Sequence, residues 1–425
     1  KRAQVDEQLR AAFPNLPDDK GSPLDALLAA IAAPPDGGDP AERYRGLEAK
    51  RTETLDASLQ RLDEQEAQVI SGLAAMRRAA PEPTHPQQPM APAVARRLGD
   101  FAVSQRQSGS SLRGRDLAGA DLRGADLTGV DLEGAFFERA DLSGARLAGA
   151  RLVEAALTGA ILDGADLSDA DLTKANLSKS RAHGANFTRA RINGPVMLEA
   201  DFTGATFQGA QIESQQILKS NFDGANFSGA KLMKIQFIQT SLTESIWDGA
   251  GVEVTVFMDL ALSGARFRGA RLFRCAFLKT PAAGADFDGA ELTRTSFIGE
   301  VDLTAARFVA ATGSDSTFHE AKLSGADFED AVFARSTFVK SNLTGANFRR
   351  ASLKNGLFGG AKLVGADFIA ANLFRAQLRR ADLSGARMAG ANLYGADLDH
   401  AQLAAADLTG VNLTKTLMAI DSNGA

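Results

Sequence analysis

Residues 115–134 read R-D-L-A-G, A-D-L-R-G, A-D-L-T-G and V-D-L-E-G, and from Arg115 to Leu177 a large apolar residue recurs at every fifth position. A helix turns about 100° per residue, so residues five apart advance by about 500° and scatter around the cylinder without forming a stripe. In a flat strand the odd spacing sends successive leucines to opposite faces. A chain that bends sharply after every five residues can instead point each central side chain at a common axis. Its backbone groups then pair with the coil above, which makes a solenoid.

Central slots continue from Leu112 to Phe297 and from Leu303 to Met418, 62 in all, and only Ala182, Ala282 and Gly313 are not large and apolar. The step between Phe297 and Leu303 is six, so one extra residue enters near Gly299 to Asp302, as a bulge or a longer corner. Taking every fourth slot, one series runs Phe187, Phe207, Phe227, Trp247, Phe267, Phe287, and another runs Phe237, Phe257, Phe277, Phe297, Phe318. The two series between them, begun by Ile192 and by Leu242, are mostly aliphatic. A period of twenty residues with four faces follows, aromatic opposite aromatic. The slot two residues earlier also points inward. It is Ala on the Ile192 face, but Pro195, Gln215, Ile235, Thr255, Cys275, Thr295, Ser316 and Ser336 on the Phe237 face.

This A-(D/N)-(L/F)-x-(G/x) pattern resembles the pentapeptide-repeat family over about three-quarters of the chain. The resemblance implies a right-handed quadrilateral β-helix. About fifteen coils at ~4.8 Å each would make an all-β solenoid of order 70 Å. A long rigid rod supplies surface rather than chemistry, so a non-catalytic protein–protein interaction scaffold is the first expectation; the resemblance implies, for some members, topoisomerase (gyrase) binding through DNA mimicry.

Charge narrows the function classes. The formal value is −5, about −2 in residues 1–110 and −3 in the rest. Neither part concentrates Lys and Arg as nucleic-acid binding requires, nor Asp and Glu as a DNA mimic requires. No apolar run can span a membrane and no signal peptide is visible, which points to the cytoplasm or to export by a signal-independent machine. The first residue is Lys1, which reads as a fragment or processed product.

The expected organisation begins with an α-helical region, 1–80, in which short helices precede one that starts at the Asp39-Pro40 cap. In that long helix Leu55, Leu59, Leu62, Glu66, Val69, Leu73 and Met76 follow coiled-coil spacing. A Pro-rich linker, 81–93, comes next, then a capping helix and lead-in, 94–110, and the β-helix, 111–420. A tail, 421–425, ends the chain. The N-terminal helices could cover their apolar stripe with one another, a second copy or a partner.

No catalytic constellation is visible. Asp116, Asp121, Asp126 and Asp131 recur every five residues and fall on successive faces, so corner hydrogen bonding explains them. His85, His183, His319 and His400 lack metal-ligand spacing, and Cys275 occupies a core slot. The expectation is no enzyme, no metal and no cofactor. The outer surface is more informative: on the Phe237 face the residue after each central slot reads Leu198, Leu218, Ile238, Met258, Leu278 and Ile298. Around the corner stand Met233, Phe273, Arg274 and Phe374, and aromatic and Arg enrichment marks recognition surfaces. Three readings stay open for this stripe: a site for a protein partner, a dock for the chain's own helices, and incidental surface. Helices joined by a Pro-rich linker to a long array also resemble accessory proteins of bacterial type VI secretion systems, which implies an adaptor or effector-associated role. The array could equally be the structural arm of an enzyme whose catalytic domain precedes Lys1. It could also form a homodimer through the C-terminal coil or the helices.

Overall fold

A computed structural model describes residues 40–83 and 89–418. The chain divides into two compact units, 1–73 and 74–425. Helix α1 (Pro40–Ala79) carries exposed Leu62, Val69 and Leu73 on its surface. The helices expected within 1–39, the side chains of Leu55 and Leu59, and the tail 421–425 lie outside the described residues.

Residues 112–418 wind into a quadrilateral β-helix. Asp116 bridges to Phe136, Phe136 to Ala156, Ala156 to Asn176 and Asn176 to Val196, all parallel and twenty residues apart, and this ladder continues up to Leu417. The central slots are buried, as at Leu117, Leu127, Phe187 and Phe237, each 0% exposed. Two aromatic ladders face each other across the axis. Within a ladder the rings stack, as at Phe257–Phe277 (4.6 Å) and Phe267–Phe287 (4.9 Å); between ladders they meet edge to face, as at Phe267–Phe277 (6.4 Å, 88°). Trp247 lies fully buried between Phe227 and Phe267, and its indole N–H donates to Ser245 Oγ at 2.8 Å.

The corners explain the recurrent Asp. Asp116 Oδ1 accepts the Ala118 N–H (3.1 Å), Asp126 the Thr128 N–H (3.1 Å) and Asp131 the Glu133 N–H (3.1 Å), each closing a local turn. The residue two after each central slot is left-handed, as at Gly119 (φ +68°), which is why Gly is frequent there. Arg139, Lys174 and Arg189 adopt the same conformation at φ +57° to +58°. A regular corner closes with a backbone bond such as Ala120 N–H to Leu117 O at 3.1 Å.

From Arg191 onward the corners beside the Phe237 face open, on one edge as far as Ser336. No such backbone bond closes the chain at Thr255, Cys275 or Thr295, and short parallel strands appear, two of which, Gln211–Leu218 and Lys231–Ile238, run unbroken round the corner. Several of the carbonyls this frees are taken by side chains from the next coil, whereas Thr255 Oγ1 donates to Glu253 O of its own coil (3.0 Å). Cys275 Sγ reaches Val252 O (3.3 Å), Thr295 Oγ1 reaches Leu272 O (3.0 Å), and Ser336 Oγ reaches Gly313 O (3.3 Å). Cys275, Thr295 and Ser336 thus supply donors that an alanine in this slot could not. Gln215 occupies the same slot, 4% exposed, with both amide atoms unpartnered among the described residues. Gln215→Thr should therefore raise stability by about 1 kcal/mol, since a threonine here would donate to Ile192 O. A melting temperature unchanged or lowered against wild type would refute this account of the slot.

The extra residue lengthens one corner, where Gly299 (φ +72°) and Glu300 (φ +65°) are both left-handed and Val301 turns in, fully buried. Pairing across it steps by 21, as in Ser296 with Thr317. Gly313 leaves no hole, because a Cβ there would fall on the ring of Phe333, which fills the space from the next coil. At the N-terminal end helix α2 (Pro92–Gln107) covers the first coil. Ala95 and Ala102 are buried against it, Ala95 O accepts the Asp121 N–H (3.0 Å), and Arg106 pairs with Asp126 (3.0 Å). The backbone of α2 approaches so closely at Gly99 that any Cβ would meet Asp121 O. The edge groups and apolar disc of the open coil are thereby covered.

Candidate functional site

The Phe237 face already holds a peptide segment. From the last turn of α1 the stretch Arg77–Pro83 lies along the outer side of the early coils of this face. The Arg77 guanidinium meets Glu138 (2.6 and 3.0 Å) and Asp116 (2.7 and 3.1 Å) and lies 4.1 Å over the Phe136 ring. Asn176 Nδ2 donates to the carbonyls of Arg78 (2.9 Å) and Ala80 (2.7 Å), Thr158 Oγ1 to Ala80 O (3.3 Å), and Lys179 pairs with Glu82. Outward-facing Phe136, Glu138, Ala156, Thr158 and Asn176 are buried as a result. Pro81 to Pro83, expected as the start of an extended linker, are instead seated on the solenoid, with the chain bending at Pro81 and Glu82 and Pro83 against Gly159.

Sequence reasoning did not single out this seat. Its signal was the loss of polar residues in outward slots: Phe136 and Ala156 stand where Asp, Asn or Arg is usual. Each is unremarkable alone, and the residues that cover them lie some sixty to eighty positions earlier in the chain.

The six apolar residues expected on this face form one continuous column. Leu198 is in register with Leu218, Leu218 with Ile238, Ile238 with Met258, Met258 with Leu278, and Leu278 with Ile298. They are half-buried rather than fully exposed, because at a ladder spacing of about 4.8 Å each side chain shields its neighbours. The column begins one coil beyond Asn176 and Ser178, so it continues the surface on which Arg77–Pro83 rests. Beside it Gln216 and Gln236 are exposed and joined by a 3.4 Å hydrogen bond.

Around the corner, on the Ile192 face, Met233 and Phe273 line a shallow depression of about 610 Å³ over Gly251, between Lys231 and Arg271. Arg274 lies 5.5 Å from the Phe273 ring. Phe374 does not join this group. It lies further along the same face, stacked on Tyr394 at 5.6 Å, a pairing that the sequence alone does not single out, with Arg375 5.2 Å from its ring.

No group of His, Cys, Asp or Glu among the described residues is arranged to hold a metal ion. Burial pushes the Cys275 thiol up to about 12, so it stays protonated and acts as a core hydrogen-bond donor. No helix among the described residues is long and apolar enough to cross a membrane.

Models of pentapeptide repeats match residues 108–144, 140–178, 150–189, 183–214, 220–250 and 376–414, and a model of the pentapeptide repeat region matches 270–348 and 311–388. Similar solved structures include QnrB1, described as a plasmid-mediated fluoroquinolone resistance protein. It is 22% identical, the match covers 43% of this chain and 89% of that one, and the TM-score is 0.32. HetL of Nostoc sp. strain PCC 7120, involved in heterocyst differentiation regulation, is 24% identical over 67% of this chain and 92% of its own, with a TM-score of 0.23. A pentapeptide repeat protein of the Arabidopsis thaliana thylakoid lumen is 28% identical over 34% of this chain and 71% of its own, with a TM-score of 0.14. No curated protein matches.

Proposed function

Because this chain belongs to the pentapeptide-repeat family, we propose that it is a non-catalytic protein–protein interaction scaffold whose working surface is the Phe237 face. One observation carries the reading: this face binds Arg77–Pro83 through outward side chains, and its apolar column continues beyond the end of that segment. Half-buried leucine, isoleucine and methionine at the centre with polar flanks is the layout of a protein interface. Met233, Phe273 and Arg274 would extend the contact around the corner, and Phe374 with Tyr394 would form a separate one.

A photo-crosslinking residue at position 278 should give protein adducts in the native host. Ile238→Asp with Met258→Asp should abolish them, while the same label at Ser228, on the Phe187 face, gives none. Equal labelling at 278 and 228, or adducts that survive the double substitution, would refute the assignment of this face.

The finer reading, an adaptor or effector-associated protein of a type VI secretion system, rests on domain order alone. A second copy is the rival partner, favoured by Leu413, Leu417 and Met418, which are exposed on the last described coil. Gyrase binding is disfavoured by Arg and Lys interleaved with Asp and Glu on the outer faces. A supercoiling assay with neither inhibition nor protection would remove it.

A further inference from the structure

We infer that the partner seated on the apolar column is an acidic amphipathic helix; this rests on the scaffold reading of the same face. Charge is the first argument. Elsewhere on the solenoid, cations at corner positions pair with an acid one coil away, as Arg189 does with Asp169 (2.7 Å), Arg335 with Asp315 (2.8 Å) and Arg350 with Asp330 (2.7 Å). Beside the column they do not. Lys234, Arg274 and Arg294 on one edge, and Lys219 and Lys279 on the other, have no ion-pair partner among the described residues. Arg294 feels the charge of Asp315, but that carboxylate is already held by Arg335. Arg274 and Arg294 are successive rungs of one corner, a repulsive arrangement that a bound carboxylate would relieve. Of the acids on these edges, Glu199 pairs with Lys179 (3.7 Å) and Asp259 with Gln239 (3.4 Å), and only Glu300, in the lengthened corner, has no ion-pair partner among the described residues. An apolar strip with such cations on both sides is complementary to a stripe of leucines flanked on both sides by carboxylates.

Geometry is the second argument. Coils repeat at about 4.8 Å and helical turns at about 5.4 Å, so a helix laid along the column places roughly one apolar side chain per coil. An extended strand repeats each face at about 6.6 Å and presents only one row to the surface, with no flanking rows. The third argument is continuity: the neighbouring stretch of this face already receives the last turn of a helix, through Arg77.

The test uses the full chain and a labelled synthetic helical peptide with leucines along one stripe and glutamates on both flanks, alongside a counterpart with lysine for each glutamate. Fluorescence anisotropy should show binding of the glutamate peptide, weakened by salt and reduced tenfold or more by Lys234→Glu, Arg274→Glu and Arg294→Glu together. The lysine peptide should not bind. Equal binding of both peptides overturns the inference, as does no effect of the triple reversal in a protein that melts normally. Binding of duplex DNA or of phosphatidylglycerol vesicles without binding of the glutamate peptide also overturns it. So does a self-associated protein that the triple reversal dissociates, since the occupant would then be a second copy. If Ile238→Asp with Met258→Asp abolishes the crosslinks while the charge reversal changes nothing, the face stands and only the acidic character of its partner falls. If neither set of substitutions has an effect, the scaffold reading of the face falls with it.

Discussion

Arg77→Ala should detach residues 77–83 from the Phe237 face and open Arg78 to trypsin. The guanidinium holds two carboxylates at once, Glu138 through paired bonds of 2.6 and 3.0 Å and Asp116 at 2.7 Å, with the Phe136 ring beneath it. Glu138 is only 5% exposed. Removing one partner of a buried pair costs about 3–5 kcal/mol, because the remaining charge is left unsolvated. The seat cannot keep that charge, so the segment should lift until Glu138 reaches water, and the cost is capped at the free energy of docking. Cleavage after Arg78 should accelerate by at least tenfold, with the β-helix itself resistant. Arg77→Lys should release the segment in part, since an ammonium cannot reproduce the planar fork. Arg77→Met with Glu138→Leu should restore protection, because a packed apolar pair carries no desolvation cost. Unchanged cleavage in Arg77→Ala would show that the Asn176 and Thr158 bonds hold the segment alone.

Phe277→Ala should be the most damaging single change in the core. Phe277 is fully buried, stacks on Phe257 and Phe297 at 4.6 Å, and meets the edges of Phe267 and Phe287 at 6.4 Å. Loss of transfer energy and an unfilled cavity together cost about 3–5 kcal/mol. Each coil contacts only its neighbours, so the damage falls on one interface of a nearly one-dimensional array. Thermal unfolding should therefore become broader or split into two transitions, and Phe277→Leu should recover most of the loss. A single sharp transition shifted by less than a degree would contradict a stacked ladder at this position.

The five-residue rule was legible because a core slot that repeats every five residues excludes both helix and flat strand. The four-face register was legible because phenylalanine replaces leucine on two faces only. The Asp of each repeat is legible as a corner ligand, and Asp116, Asp126 and Asp131 hold such bonds. The apolar column was legible too, since residues twenty apart stack on one face. Its half-burial was not, because shielding depends on how closely neighbouring coils approach. The irregular inward slot at Gln215, Thr255, Cys275 and Thr295 was visible as a departure from alanine. Its cause, a corner that has lost its backbone bond and whose freed carbonyl Cys275 and Thr295 bond from the next coil, emerges only in three dimensions.

Local repetition therefore determined the architecture of this protein from its sequence alone, since every slot meets the same environment one coil away and periodicity carries the information. Only the tertiary structure decided what covers the outer surface. The contact of Arg77 with Glu138 joins residues 61 apart by no periodic rule. It depends on where a non-repeating segment meets the solenoid, and that choice made the Phe237 face both a seat for the chain's own helix end and, beyond it, an apolar column between cations that lack ion-pair partners among the described residues.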